Sequence, residues 1–234
     1  MPLPKIKYPI YELTLPSDKS TVKFRPFTVK EEKLLLIAQE GDDVVDRLNA
    51  VRQIVNNCCL NLSTDVGLLP AFDLGYIFLK MRSKSIGNIL EPRYRDLEDE
   101  KIYDFIIDLD TIEVKFTEGH TNVIQLNDSL GMVMQYPTIE MLDEVAKYED
   151  QSESTVAMVK RCIATIYDEE ETYDAMAYTD AELTEFLESI PSKDFEKVIE
   201  FFSTMPTLFH ELKYTNSVGT EKTITLQGIE DFFQ

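Results

Sequence analysis

Thr21-Val22-Lys23-Phe24-Arg25-Pro26-Phe27-Thr28-Val29-Lys30-Glu31-Glu32-Lys33-Leu34-Leu35-Leu36 is the stretch from which the rest of the chain can be read. Val22, Phe24 and the Arg25-Pro26 pair predict the end of a strand, because the residue before a proline is pushed towards extended backbone. A helix is expected to begin immediately after it. Thr28 is placed to accept from an amide in the first turn, while Glu31, three residues on, is placed to reach back to the Thr28 amide, the reciprocal arrangement of a capping box. Phe24 and Phe27 flank the boundary as apolar anchors. The stretch holds no catalytic group.

Working outward, Tyr8 to Leu15 and Ser20 to Phe27 predict an N-terminal hairpin joined by Pro16-Ser17-Asp18-Lys19. The first helix is expected to run to about Glu40, where Gly41 suits the left-handed turn that ends helices. In the next helix Val44, Leu48, Val51, Val55 and Cys58 recur at helical spacing, which makes Cys58 a core residue rather than a nucleophile. Pro70 suits the first turn of a third, very apolar helix. Its last turns collect Lys80, Arg82 and Lys84, either complementing the helix dipole or presenting a basic patch to an acidic partner.

From about residue 93 to 126 the period changes to two, which predicts an inserted β-element. Leu126 to Tyr136 is apolar, and Met132 and Met134 suit either an irregular core or an adaptable partner surface. Further helices are expected from Pro137-Thr138 through Val145, from about Ser152 to Tyr167, after the capping box Thr179-Asp180-Ala181-Glu182, and from Ser192 to Met205-Pro206. Asp168-Glu169-Glu170-Glu171 interrupts this series as an acidic loop, either merely solvated or open to a basic partner. A last hairpin is expected from Phe209 to Thr215 and Thr220 to Leu226, with a tail from Gly228 to Phe233. The expected class is α+β, mainly α: a helical protein with N-terminal, inserted central and C-terminal β-hairpin elements. Residues 1–136 and 137–234 form two regions of what is expected to be one integrated domain.

Composition narrows function. The 234 residues carry 43 Asp and Glu against 23 Lys and Arg, a net charge of −20. A protein that tracks phosphates needs a basic face, so direct nucleic-acid binding is not expected. The acidity favours solubility, and it would also steer a basic partner into contact. Cys58, Cys59 and Cys162 make no disulfide framework, the opening Met1-Pro2-Leu3-Pro4-Lys5-Ile6-Lys7 lacks the apolar run of a signal peptide, and no stretch is long enough to span a membrane.

Catalytic constellations are missing. There is no phosphate-binding loop or dinucleotide fingerprint, and His120 and His210 stand far apart without zinc spacing. Asp108, Asp110 and Glu113 sit at a strand end and turn without calcium-loop spacing and read as solvated carboxylates. No enzyme activity, metal or cofactor is expected.

The opening stretch, together with Pro70-Ala71-Phe72-Asp73-Leu74-Gly75-Tyr76-Ile77-Phe78-Leu79-Lys80-Met81-Arg82-Ser83-Lys84-Ser85-Ile86-Gly87 and Leu226-Gln227-Gly228-Ile229-Glu230-Asp231-Phe232-Phe233, resembles the baseplate hub assembly protein family of T-even-type contractile-tailed bacteriophages. The resemblance implies a non-enzymatic tail protein, either a minor hub subunit or a chaperone for a hub or tape-measure component. Its partners would be other tail or hub proteins, met in the host cytoplasm during assembly and in the tail baseplate of the virion. The competing reading is an acidic nucleic-acid mimic or inhibitor of a host protein. Candidate partner contacts are Phe24, Arg25, Phe27, Lys80, Arg82, Lys84, Met132, Met134, Asp168, Glu169, Glu170 and Glu171.

Overall fold

The computed structural model describes residues 6–40, 44–62 and 65–232. Met1-Pro2-Leu3-Pro4-Lys5, the expected helix stop at Gly41, and Phe233 of the closing tail lie outside them. Among the described residues the elements run β1 (Tyr11–Thr14), β2 (Thr21–Phe24), α1 (Val29–Glu40), α2 (Val44–Cys58), α3 (Ala71–Ser85), β3 (Ile89–Leu90), β4 (Arg93–Arg95), β5 (Ile102–Asp104), β6 (Ile107–Asp108), β7 (Glu113–Lys115), β8 (Val123–Gln125), β9 (Gly131–Met134), α4 (Ile139–Val145), α5 (Gln151–Cys162), β10 (Ile163–Tyr167), β11 (Thr172–Asp174), α6 (Asp180–Ser189), α7 (Ser192–Thr204), β12 (Thr207–Thr215) and β13 (Glu221–Gln227). This is an α+β protein. The chain divides into two compact units, Met1–Lys115 with Thr207–Gln234, and Phe116–Pro206. The boundary expected between residues 136 and 137 falls inside the second unit, between β9 and α4.

In the first unit β1 and β2 pair as an antiparallel hairpin. The opening stretch does more than end that hairpin. The amide of Arg25 donates to the Cys58 carbonyl at 3.0 Å, that of Leu60 donates to Lys23 at 2.8 Å, and Phe24 bridges to Cys59, so the exit of α2 lies along β2 as a second partner. Val51, Val55 and Cys58 of the α2 stripe are wholly buried, and so is Ile54, which the stripe does not include. Burial raises the Cys58 thiol to about 11, which fits a packed hydrophobe and not a nucleophile.

Helix α3 is the axis of this unit. Phe72, Leu74, Tyr76, Ile77, Phe78, Leu79 and Met81 are all buried, the mark of a helix enclosed on every side. Each such side chain contributes roughly 1.5–3 kcal/mol. Its first turn is tied to the β1–β2 turn by Asp73, which accepts from the Ser17 amide at 3.2 Å and from the Ser17 hydroxyl. A Cβ on Gly75 would meet Leu208 at 2.8 Å and Ile229 at 3.2 Å. The absence of a side chain there lets the C-terminal strands close onto the helix, which is why residues far apart in sequence share one unit. Those strands form the antiparallel sheet β13-β12-β7.

Residues 93–126 correct the expectation of one inserted β-element. β4 pairs with β5, β6 with β3, β7 joins the C-terminal β12, and β8 belongs to the sheet of the second unit. Strands of two or three residues each carry too little alternation to reveal such separate destinations.

The second unit is built on the antiparallel sheet β11-β10-β9-β8 with α4 to α7 packed against it. Its core gathers Ile124, Met132, Met134, Val159, Cys162, Ile163, Leu187, Val198 and Phe201. Here the helix expected to run to Tyr167 is overturned: α5 stops at Cys162, and Ile163–Tyr167 is the strand β10. The β-branched Ile163, Thr165 and Ile166 favour that outcome. A register shift between Ile163 and Thr165 bulges the strand, so that Ile163 and Ile166 are both buried although three residues apart. That spacing imitates a helical stripe.

Candidate docking surface

Arg25 and Glu31, on the two sides of the opening junction, form a bidentate ion pair at 3.1 and 3.3 Å. Glu31 is only 1% exposed, and it also accepts from the Thr28 amide at 2.9 Å and from the Thr28 hydroxyl. Burial pushes the Glu31 carboxyl up, but the hydrogen bonds from Arg25 and Thr28 outweigh it and hold the group at about 2. The same contact with Glu31 raises Arg25 above the ordinary guanidinium range. Arg25 donates further to the Asn57 carbonyl at 3.1 Å. Phe24 is 2% exposed, and the half-buried Phe27 lies 5.7 Å from the Phe78 ring, with its amide donating to Ser85 at 2.8 Å. These residues join elements of the first unit, so Phe24 is core and not a partner contact.

The basic residues of α3 separate in the same way. Lys80 is turned inward, 8% exposed, and its ammonium donates to the carbonyls of Asp110 and Ile112, both at 2.7 Å, and meets the Glu113 carboxylate at 3.3 Å. The Arg82 guanidinium is half-buried, and that burial lowers its pKa. Lys84 is exposed and pairs with Asp110 at 3.0 Å. The Ser83 hydroxyl, then Lys84, hold the Asp110 carboxyl below its ordinary value. Asp108 accepts from Asn88 and from the Asp110 amide, and Glu113 accepts from Tyr76. Asp108, Asp110 and Glu113 thus each have protein partners, and no group of three or more His, Cys, Asp or Glu suited to a metal occurs among the described residues.

Met132 and Met134 are 0% and 1% exposed, inside the sheet core of the second unit, which corrects their candidacy as contact residues. His120 bridges Thr204 at 2.9 Å and Tyr136 at 3.1 Å, and burial lowers its pKa. It ties the segment before β8 to α7.

The acidic run Asp168 to Glu171 forms the turn between β10 and β11. The Asp168 carboxylate accepts from the amides of Glu170 and Glu171, both at 2.8 Å, and from the Tyr173 hydroxyl at 2.9 Å. The Glu171 and Glu170 amides, then Tyr173, lower its pKa. Glu169, Glu170 and Glu171 are exposed, and no hydrogen bond or ion pair engages their carboxylates among the described residues.

Beside this turn a groove of about 360 Å³ opens between the hairpin and α6. Leu130, Ile166, Leu183 and Phe186 form its apolar lining, Tyr173 and Tyr178 stand edge to face 6.4 Å apart, and Asp168 and Glu182 are its acids. Glu182 closes the capping box with Thr179, as the sequence predicts. A second groove of about 470 Å³ lies among α4, α5 and α7 around Leu142, Val145, Met158, Ile199 and Phe202. Its polar lining is only Ser154 and Thr155, so it carries no charge signature. Sequence periodicity does not reveal either groove, because each joins residues from three or more segments.

The family model of the T4 bacteriophage base plate protein matches residues 8–234. The chain belongs to that family. The match takes in the opening junction, helix α3 and the whole closing tail from Leu226 to Phe233, the three stretches that carry the resemblance. A base plate protein of this family has a structural role in the phage tail, and the match covers all of the second unit and the first unit from residue 8 onwards. Neither a curated protein nor a solved structure matches the chain. Among the described residues, no helix of this base plate protein is long and apolar enough to cross a membrane.

Proposed function

We propose that this base plate protein acts without catalysis in assembling the baseplate hub, through contacts with other tail proteins. It serves as a minor hub subunit or as a chaperone that holds a hub or tape-measure component before incorporation. The observation that carries this reading is the family match over nearly the whole chain. The grooves on the second unit support it, since they offer apolar surface of the kind that other proteins cover. Such work would take place in the host cytoplasm, with the virion baseplate as the destination of a subunit.

Quantitative mass spectrometry of purified particles, beside a pull-down of the tagged protein from infected cells, tests the proposal. A constant ratio to known baseplate proteins in particles is expected of a subunit. Absence from particles together with tail proteins in the pull-down is expected of a chaperone. Capture of a host factor alone, with no tail protein in either fraction, would overturn both and favour an acidic inhibitor.

A further inference from the structure

The groove between the β10–β11 hairpin and α6 has a property that the larger groove lacks: the charged residues of its lining, Asp168 and Glu182, are both acids, and so is every charged residue of the segment that joins them. Residues 168–182 contain Asp168, Glu169, Glu170, Glu171, Asp174, Asp180 and Glu182, and no lysine or arginine. Several of these acids have internal work. Asp168 orders the turn, Asp174 accepts from the Met176 amide at 2.9 Å, Asp180 pairs with Lys160 at 2.6 Å, and Glu182 caps α6. Glu169, Glu170 and Glu171 have none, and they extend into solvent from the turn that leads directly to Tyr173 in the groove. The apolar surface also continues outward, with Met176 93% and Tyr178 41% exposed.

We infer that this groove seats an apolar segment flanked by lysine or arginine, presented by another protein of the phage tail. The inference rests on the hub-assembly reading and names the kind of partner that reading needs. Tyr173, Tyr178, Leu183 and Phe186 offer area and shape for one or two large apolar side chains, and a volume of about 360 Å³ lies within the roughly 300–1,000 Å³ of ordinary binding pockets. Met176 supplies an adaptable edge. The free glutamates then select the flanks: a cationic segment is steered in, whereas an acidic one is repelled. A second copy of this chain is a poor occupant, because two molecules of net charge −20 repel.

The test uses the full-length protein carrying a photo-crosslinking benzoylphenylalanine at Met176, expressed in infected cells and irradiated during tail assembly. The expected product joins this position to a tail protein, at a segment whose apolar side chains have lysine or arginine on either side. Combining it with Glu169→Lys, Glu170→Lys and Glu171→Lys should lower the yield about tenfold, which corresponds to ~1.4 kcal/mol, with thermal melting unchanged. Tyr178→Ala should lower it independently. A crosslink to an uncharged or acidic segment, to a second copy or to nucleic acid, no crosslink at all, or a yield unaffected by the three lysines would each overturn the inference. Particle composition is measured in the same culture: normal association with tail proteins alongside a failed crosslink removes this groove only, whereas loss of all such association removes the hub reading itself.

Discussion

Two acidic loops of this protein look alike in sequence and are held in opposite ways. In the first unit, Asp96, Glu98 and Asp99 follow β4 and grip the turn between β12 and β13. Asp96 accepts from Tyr214 at 2.8 Å, Glu98 from Asn216 at 3.0 Å and from Lys222 at 2.9 Å, and Asp99 from the Ser217 amide at 2.9 Å. The Tyr103 hydroxyl, then the backbone amides, hold Asp99 well below the carboxylate range. In the second unit, only Asp168 of its run is engaged, and the next three glutamates are left to solvent. The difference lies in partners that come from more than a hundred residues away for the first loop and are lacking for the second. Negative charge is thus part of the internal structure in one place and available to other molecules in the other.

The largest effect that would break this contrast is expected at the opening junction. Phe24→Ala should destabilise the protein by about 3–5 kcal/mol, the usual result for a buried phenylalanine, measured by denaturant unfolding. A loss under about 1 kcal/mol would mean that the junction does not organise the first unit. Glu31→Ala should follow at about 3 kcal/mol, towards the lower end for a broken buried pair because Arg25 keeps 20% of its side chain in water.

Glu31 also gives the contrast a pH signature. Its carboxyl is held at about 2, below its ordinary value of 4.5, so the folded state favours the ionised form. That stability is fully present above about pH 4.5 and is lost as pH falls towards 2. Thermal melting of Glu31→Gln should therefore be lower at neutral pH and fall less steeply over that window than wild type. Parallel curves for the two proteins would contradict the assignment.

Lys80→Met sharpens the point at a smaller scale. Removing an ammonium that satisfies buried carbonyls should cost about 1–3 kcal/mol, whereas Lys84→Met, at an exposed pair, should cost under about 1 kcal/mol. Equal costs would show that Lys80 is not the internal member of the pair. The smallest stability change, within about 0.5 kcal/mol, is expected when Glu169, Glu170 and Glu171 are reversed to lysine.

What the sequence made legible was local. The strand-to-helix junction, the buried stripe of α2, the start of α3 at Pro70 and the capping box of α6 all depend on residues within a few positions of one another. What was not legible depends on distant partners or on a local exception. β10 imitated a helix because its bulge buries Ile163 and Ile166 together. The short strands after residue 93 gave no sign of their separate sheets. The candidate contacts show the same limit. Lys80, Lys84 and Arg82 share one helix turn, and only the carbonyls and carboxylates of residues 109–113 distinguish an inward ammonium from an outward one. The acidic turn could be found by composition, but Tyr173, Tyr178, Leu183 and Phe186, which make a groove beside it, were missed; the run of acids followed closely by two tyrosines was the available signal.

The most direct test of the account is the yield of infectious particles when the only source of this protein is the chain with Glu169, Glu170 and Glu171 reversed to lysine, with its melting temperature checked against wild type. The expected result is a normally stable protein and a sharp fall in assembled tails, because the free glutamates act on other proteins and not on the fold. A normal yield of particles from that normally stable protein would contradict it.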